Sequence, residues 1–283
     1  MRLSFILFIT ISAGFSGTLA IRSLVFPSET STSYVGMIPK KPLSLKAFTL
    51  CMRVATELSG EREIILFAYR TQDFDELNVW RELDGRLSFY LSGDGVLFQV
   101  PGLGALQTRL CFTWDSSSGA TALFIDGRKS LTKIYRQGHT IRAGGRVILG
   151  QDPDNYLGGF DINQSFVGEI SEVNMWDYVL SDTSVQGLMA AKMTGGNVYD
   201  WETVELRQNG AVVEINVSLT ISVGYLFFIW TNSSLFCKIS FLDFVCTFFN
   251  SHKCTKYQSC NISRCFKEVM EATQVTEPHF DLF

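Results

Sequence analysis

The sequence predicts an all-β protein, a two-layer sandwich or jelly roll with one short α-helix. The first observation is a series of short apolar or alternating runs between residues 23 and 216, among them AFTLCMRVATEL, EIILFAY, LNVWREL, RLSFYLS and TRLCFTWD. The second is the turn signals between these runs, such as Leu83-Asp84-Gly85 and Asp126-Gly127. Short strands separated by turns at intervals of about 8–12 residues are typical of sandwiches and jelly rolls.

The segment SDTSVQGLMAAKMTGG has the spacing of a helix. Ser181 or Asp182 can cap its start, and apolar residues follow three and four positions apart. Gly195 or Gly196 can end it. The sequence therefore predicts a single short helix near the end of the β-rich region.

Both ends of the chain differ from this β-rich region, which we place at residues 21–216. Residues 1–20 combine one arginine, an apolar run and a small-residue ending, which is typical of a secretory signal peptide. Residues 217–283 form an apolar and then cysteine-containing tail. The window 217–237 is long enough to span a membrane, but four polar residues interrupt it. A membrane anchor and a poorly ordered terminus both stay open for the tail.

Charge and cysteine usage narrow the classes of function. The 283 residues carry a formal net charge of −4 and contain no run of Lys or Arg, which argues against nucleic acid as a partner. Cys51 and Cys111 precede the tail, and two cysteines in a secreted β domain suggest one intrachain disulfide. The tail holds an odd number of cysteines, so at least one is unpaired or joins another chain. These are Cys237, Cys246, Cys254, Cys260 and Cys265.

The stretch LGQDPDNYLGGFDINQSF, residues 149–166, concentrates acidic residues among glycines. Asp152, Asp154 and Asp161 supply carboxylates, Gln164 supplies an amide oxygen, and Pro153 leaves a backbone carbonyl free between the first two. Calcium takes six to eight oxygen ligands of these kinds. Carboxylates this close would repel one another without a cation. The sequence thus raises the hypothesis of a calcium site.

A solvated acidic turn, whose aspartates cap their own backbone, explains the same composition about equally well. The spacing is not that of an EF-hand loop. A calcium site here would need ligands from elsewhere in the chain, and the segment TQDFDELNVW offers Asp73, Asp75 and Glu76 on another hairpin.

The segment RLCFTWDS, residues 109–116, resembles the pentraxin signature H-x-C-x-[ST]-W-x-[ST], with Arg109 in place of the histidine. The segments SLVFPSETSTSYV, KPLSLKAFTLC and QSFVGEISEVNMWDYVLS are also similar to that family, in the same order. The resemblance covers about residues 23–216 and leaves out the tail.

The resemblance implies a jelly roll of the legume-lectin (concanavalin) type with one helix packed on a face. It implies that Cys51 and Cys111 form the family disulfide and that subunits assemble into rings, commonly of five. It further implies a secreted, acute-phase, lectin-like protein of innate immunity. Two calcium ions per subunit would bind a phosphate-bearing ligand such as phosphocholine or phosphoethanolamine, or an acidic sugar, and complement components would be candidate partners.

Matching the family's motifs assigns the candidate metal ligands Asp75, Glu76, Asp152, Pro153, Asp154, Asp161 and Gln164. Two segments depart from the family pattern. Asp152-Pro153 stands where the family has Glu-Gln, and Asp75-Glu76 stands where it has Asp-Asn, so that Glu76 either binds calcium or points away. For the organic part of the ligand, the resemblance assigns Val79 and the neighbourhood of Gly95, with Asp94 as the adjacent acid.

Competing functions and modifications receive less support. Glu169 and Glu172 are three residues apart, which directs them to opposite faces of a strand, and no nucleophile–base pair is present, so we expect a protein that is not an enzyme. A laminin-G-like adhesive module is an alternative. Glycosylation sequons begin at Asn163, Asn216, Asn232 and Asn261. A glycan on Asn163 would crowd the calcium loop.

Overall fold

The computed structural model describes residues 10–58, 62–190, 193–228 and 237–242, and side chains within 21–58, 62–189 and 193–216. The elements are β1 Thr10–Phe26, β2 Tyr34–Met37, β3 Ala47–Ala55, β4 Ile64–Arg70, β5 Asp75–Arg81, β6 Leu87–Leu91, β7 Asp94–Phe98, β8 Thr108–Asp115, β9 Ala120–Ile125, β10 Arg128–Lys129, β11 Lys133–Ile134, β12 Arg146–Leu149, a 3-10 helix Ile162–Gln164, β13 Gly168–Trp176, α1 Asp182–Ala190, β14 Leu206–Asn209, β15 Val213–Phe228 and β16 Cys237–Leu242.

Residues 20–217 form one compact unit built from two antiparallel sheets. The first sheet has the order β10-β9-β8-β3-β13-β1, with β11 also pairing with β9, and the second has the order β14-β2-β12-β4-β5-β6-β7. Strands adjacent in space are often distant in sequence, as in the pairing of β3 with both β8 and β13. The prediction of an all-β two-layer jelly roll is confirmed.

Aromatic side chains from both sheets meet in the core. Phe89 of β6 contacts Phe48 of β3 and Phe112 of β8, with ring centroids 5.5 and 6.0 Å apart and edge-to-face geometry. Each such pair contributes about 1 kcal/mol beyond the area that it buries. The alternation that predicted the strands therefore directs one face of each sheet into a shared apolar layer.

Helix α1 begins where the sequence predicted, because the Ser181 hydroxyl accepts a hydrogen bond from the backbone N–H of Ser184 at 3.1 Å. Its buried residues Val185 and Met189 pack against the pair Cys51 and Cys111. These cysteines lie opposite each other on β3 and β8 and form a disulfide, as predicted. In the chain-entropy model, closing the loop between Cys51 and Cys111 with a disulfide stabilises the fold by about 4 kcal/mol.

The second unit contains residues 10–19, 218–228 and 237–242 of the described chain. Within it, the end of β15 pairs antiparallel with β16, from Val223 opposite Leu242 to Phe228 opposite Cys237. Among the described residues, no helix is long and apolar enough to cross a membrane. The secretory signal peptide predicted for residues 1–20 stays a prediction, and residues 1–9 lie outside the described part. The same holds for the tail cysteines after Cys237.

Candidate metal and ligand site

The acidic loop between β12 and β13 is closed tightly at its base. The backbone N–H of Phe166 donates to the carbonyl of Gly150 at 3.0 Å. The side-chain amide of Gln151, which is fully buried, donates to the carbonyls of Thr30 and Ser33. Gly150 has φ +90°, and a Cβ there would lie 2.2 Å from the Phe26 ring, so only glycine fits. The residue that follows this base, Asp152, is therefore held in a fixed position.

Asp152 is a buried carboxylate among other carboxylates. It is 8% exposed, and it accepts a hydrogen bond from the Asn78 amide at 2.9 Å. Burial, reinforced by the charges of Asp75 and Asp154, raises the pKa of Asp152 to about 7, while Arg70 opposes the shift. A carboxylate that is costly to ionise beside two others is the electrostatic situation that a divalent cation reverses.

Asn78 contributes a neutral oxygen to the same place. The residue is 4% exposed, and its Oδ1 atom has no hydrogen-bond partner among the described residues, although its amide nitrogen donates to Asp152. A buried carbonyl oxygen without a donor carries a free-energy cost that a metal ligand would avoid. Asn78 therefore fits calcium, although it was not among the ligands predicted from the sequence. Its signal was a polar residue in the otherwise apolar stretch LNVW.

Asp75 lines a cavity together with Asn78 and Asp152. Asp75 is the first residue of β5, lies opposite Arg70 of β4 and forms an ion pair with it. The cavity has a volume of about 250 Å³. Its lining residues are Glu63, Asp75, Asn78, Trp80, Glu82, Tyr90, Gly93 and Asp152. Carboxylates, an amide and two aromatic rings thus share one opening on the outer face of the second sheet.

Asp154 and Pro153 continue the loop beside Asp152. Pro153 is buried, whereas Asp154 is exposed and acts on Asp152 through its charge. The turn beyond them is fixed by hydrogen bonds between Asn155 and Gly158 in both directions, at 3.0 and 3.3 Å. Gly159 permits close approach, since a Cβ there would lie 2.8 Å from the Cβ of Asp154.

Asp161 and Gln164 belong to a different part of the loop. Asp161 caps the 3-10 helix by accepting from the backbone N–H of Asn163 at 2.9 Å, and Gln164 is the last residue of that helix. Arg62 holds the helix by donating to the carbonyls of Ile162 and Ser165, at 2.7 and 2.9 Å.

The structure thus brings Asp75, Asn78 and Asp152 together around one cavity, with Asp154 close enough to act on Asp152. The hydrogen bonds described for Asp161 and Gln164 lie within their own loop segment. Within the described residues, no group of three or more His, Cys, Asp or Glu side chains has the arrangement of a metal site.

Comparison with known proteins agrees with this architecture. The model of the Pentaxin family matches residues 22–215. The chain belongs to the pentraxin family. It is 54% identical over 199 residues to a C-reactive protein of Danio rerio, covering 69% of this chain and 88% of that protein. It is 36% identical over 215 residues to the C-reactive protein of Homo sapiens, covering 74% and 95%.

Among solved structures, the chain is similar to the native heptameric SAP-like pentraxin of Limulus polyphemus. The TM-score is 0.60 at 21% identity, and the superposition covers 69% of this chain and 94% of that one. Membership of the pentraxin family argues against the laminin-G-like module that the sequence left as an alternative.

For Glu76 the sequence left open calcium binding or an orientation away from the site, and in the structure its carboxylate is bound to Arg142. The Glu76 carboxylate is fully buried, accepts from the backbone N–H of Arg142 at 2.7 Å and forms an ion pair with the guanidinium of the same residue. Tyr69 pairs with Leu77 and Arg70 with Asp75, so Glu76 is the extra residue of a β-bulge. The bulge turns Glu76 away from the cavity that Asp75 and Asn78 line.

Val79, which the resemblance assigned to ligand binding, is fully buried in the apolar core between the sheets and does not line the cavity. Its neighbour Trp80 faces the cavity in its place, together with Tyr90 of the next strand. Successive residues of a strand point to opposite faces, and the bulge at Glu76 decides which residues point outward. The side chain of β5 that the cavity offers to the organic part of a ligand is therefore Trp80, one residue beyond Val79.

Asp94 does not line the cavity either. Its side chain is mostly exposed and forms an ion pair with Arg136 at 3.3 Å. The next residue, Gly95, lies opposite Tyr90, and a Cβ there would be 2.5 Å from the Tyr90 ring. The acid that the cavity does contain beside this ring is Glu82, which accepts a hydrogen bond from the Tyr90 hydroxyl at 3.1 Å.

Proposed function

We propose that this pentraxin is a secreted recognition protein that binds phosphate-bearing ligands through calcium and is not an enzyme. The observation that supports it best is the buried Asp152 carboxylate, crowded by Asp75 and Asp154 and bonded to an Asn78 amide whose oxygen is unpartnered in the described structure. Calcium held by Asp75, Asn78 and Asp152 would supply open coordination positions for the oxygens of a phosphate monoester.

The cavity beside these residues favours a ligand with a cationic group. Trp80 and Tyr90 present aromatic rings, and Glu63 and Glu82 present carboxylates, within the same opening. Aromatic faces and nearby carboxylates together attract quaternary or primary ammonium groups. Phosphocholine and phosphoethanolamine combine such a group with a phosphate, so we propose them ahead of an acidic sugar.

The second calcium ion is a separate part of the proposal. It would need Asp161 and Gln164, whose segment Arg62 anchors by donating to the carbonyls of Ile162 and Ser165. We therefore propose that Asp75, Asn78, Asp152 and Asp154 hold the first ion, and that a second ion binds when Asp161 and Gln164 join them. Carboxylate sites of extracellular proteins bind calcium with dissociation constants of about 0.1–1 mM, so both ions would be present outside the cell.

Assembly and role follow from the family. The similarity to C-reactive proteins and to a heptameric pentraxin supports a ring of subunits, which would present several sites to one surface and increase avidity. The Cys51–Cys111 disulfide is consistent with an oxidising, extracellular compartment. We propose a role in innate immunity, with complement components as candidate partners.

Isothermal titration calorimetry of the full-length secreted chain tests the central claim. Phosphocholine, phosphoethanolamine and inorganic phosphate are titrated in millimolar calcium and again in excess chelator. We expect heat from the first two ligands in calcium alone, and weaker binding of inorganic phosphate because it cannot use Trp80 and Tyr90. An absence of binding of all three ligands in calcium would disprove the proposed function.

A further inference from the structure

Arg70 places a positive charge inside the acidic cluster. It is the last residue of β4, lies directly opposite Asp75 across the hairpin and forms an ion pair with the Asp75 carboxylate. Its side chain is 15% exposed, so the charge is largely withdrawn from water. The guanidinium is permanently protonated under all ordinary conditions.

The charge of Arg70 also acts on the second carboxylate of the cluster. It is the cation that opposes the upward shift of the pKa of Asp152. Its Nε atom is buried and makes no hydrogen bond to any described residue. Arg70 is therefore held at Asp75 by an ion pair and acts on Asp152 through its charge, while one of its donors stays unpartnered among the described residues.

We infer that Arg70 is a built-in competitor of calcium at this site. In the metal-free protein its charge neutralises the Asp75 carboxylate and offsets part of the repulsion between the carboxylates at Asp152. Binding of calcium requires Arg70 to release Asp75. Two cations within a few ångströms in a partly buried site repel strongly, so the guanidinium lowers calcium affinity even after it moves. The inference rests on the proposed function, because it takes Asp75 as a calcium ligand.

An organising role is the alternative for an arginine in this position. Arg70 could hold Asp75 in the orientation that calcium needs, in which case its removal would weaken calcium binding. A competitor and an organiser therefore predict opposite signs for the same substitution. A purely structural role predicts loss of stability with no gain in affinity.

The test measures calcium affinity by calorimetry and thermal unfolding in chelator for the full-length chain and three variants. We expect Arg70→Gln to bind calcium about tenfold more tightly, equivalent to about 1.4 kcal/mol. The same variant should unfold at a lower temperature in chelator, because the carboxylates lose their counter-charge. Arg70→Lys keeps the charge and should stay within about threefold of the wild type in calcium affinity.

Arg86→Gln is the matched control. Arg86 forms an ion pair with Asp84 at 2.7 Å in the turn that follows β5, outside the cavity lining. This variant should change neither calcium affinity nor unfolding in chelator by a measurable amount.

The outcomes separate this inference from the proposed function. If the wild type binds calcium and Arg70→Gln binds equally or less tightly, the competitor role is wrong and the proposed function stands. If the wild type binds no calcium but Arg70→Gln does, the competitor role stands and the proposed function fails for the natural chain. If neither protein binds calcium, both are overturned.

Discussion

Asp152 would link the stability of this pentraxin to its proposed function. The base of the loop fixes Asp152 in a buried position, and the carboxylates of Asp75 and Asp154 surround it. Folding without a cation therefore takes a charge out of water and places it beside two like charges. The free-energy cost falls on the metal-free protein, and binding of the proposed calcium ion would recover it.

Replacing Asp152 with Asn separates the cost of burying the charge from the stabilisation expected from calcium. In chelator at neutral pH, we expect Asp152→Asn to increase the free energy of unfolding by about 1–3 kcal/mol, because it removes the buried charge and keeps the acceptor for Asn78. In millimolar calcium the variant should lose the stabilisation that the wild type gains. Urea unfolding with and without calcium measures both quantities.

The control for this experiment is Asp84→Asn. Asp84 is an exposed residue outside the cavity, and it should leave the effect of calcium unchanged. A loss of stability for Asp152→Asn in chelator would contradict the electrostatic account of the site.

Trp80 and Val79 provide a second test at the scale of single residues, because they lie on opposite faces of β5. We expect Trp80→Ala to weaken phosphocholine binding about tenfold, through loss of the aromatic contact to the ammonium group, with calcium affinity unchanged. Val79→Ala should cost about 2 kcal/mol of stability by leaving a cavity in the core, with ligand affinity unchanged. Calorimetry and urea unfolding of both variants distinguish the two faces of β5. If Val79→Ala weakened phosphocholine binding and Trp80→Ala did not, Val79 would belong to the site.

At the scale of the elements, the hairpin of β4 and β5 explains which part of the site could be predicted. The acidic residues Asp75 and Asp152 stand out in the sequence by composition and by motif. Asn78 and Trp80 could not be assigned, because their orientation depends on the bulge at Glu76. A bulge inserts one residue and reverses the inward and outward positions on one side of it, and the strand pattern carries no mark of it.

A buried charge network between α1 and the first sheet is a second feature of the elements that the sequence did not predict. Glu172 is fully buried with φ +52°, next to the irregular pairing of β13 with β3. Its carboxylate lies 3.4 Å from Arg53 and 3.8 Å from Arg109, and it accepts from the backbone N–H of Met193 at 3.2 Å. Arg109, the residue in place of the signature histidine, also donates to the carbonyl of Met189 in α1.

Removing Arg109 should therefore loosen the helix. We expect Arg109→Ala to lower the free energy of unfolding by about 3 kcal/mol, because Glu172 is left with one cation in a buried site. Amide hydrogen exchange in residues 182–190 should be faster in Arg109→Ala than in the wild type. Adding Glu172→Gln should recover part of the lost free energy of unfolding and slow this exchange. If the two substitutions are additive in urea unfolding, Glu172 and Arg109 are not coupled.

At the scale of the whole molecule, the fold was predictable because the sequence patterns that indicate it are spread along the whole β-rich region. Strand alternation, turn residues and the motif around Cys111 and Trp114 all point to one sandwich, so an error at one strand changes little. The candidate site depends instead on two segments that are about 75 residues apart and meet through a single strand irregularity. Local patterns supply the residue types for such a site, and the tertiary arrangement decides which of them meet.

Assembly into a ring is the remaining prediction at this scale, and one surface of the domain fits it. Leu131 and Ile134 are 84% and 72% exposed in the segment of β10 and β11. Leu131 borders an apolar cavity of about 310 Å³ that Phe98 and Pro101 also line, and cationic residues surround it. Large apolar side chains beside charged ones are typical of the centre and the rim of a protein interface.

The double variant Leu131→Asp/Ile134→Asp should therefore dissociate the ring. We expect light scattering after size-exclusion chromatography to give an oligomer for the wild type and a single subunit for the variant. Stability of the subunit should change by less than about 0.5 kcal/mol, because both side chains are exposed in the isolated domain. Leu83→Asp, at an exposed apolar residue in the turn after β5, is the matched control and should keep the ring. A ring that persists in the double variant would place the interface elsewhere on the domain.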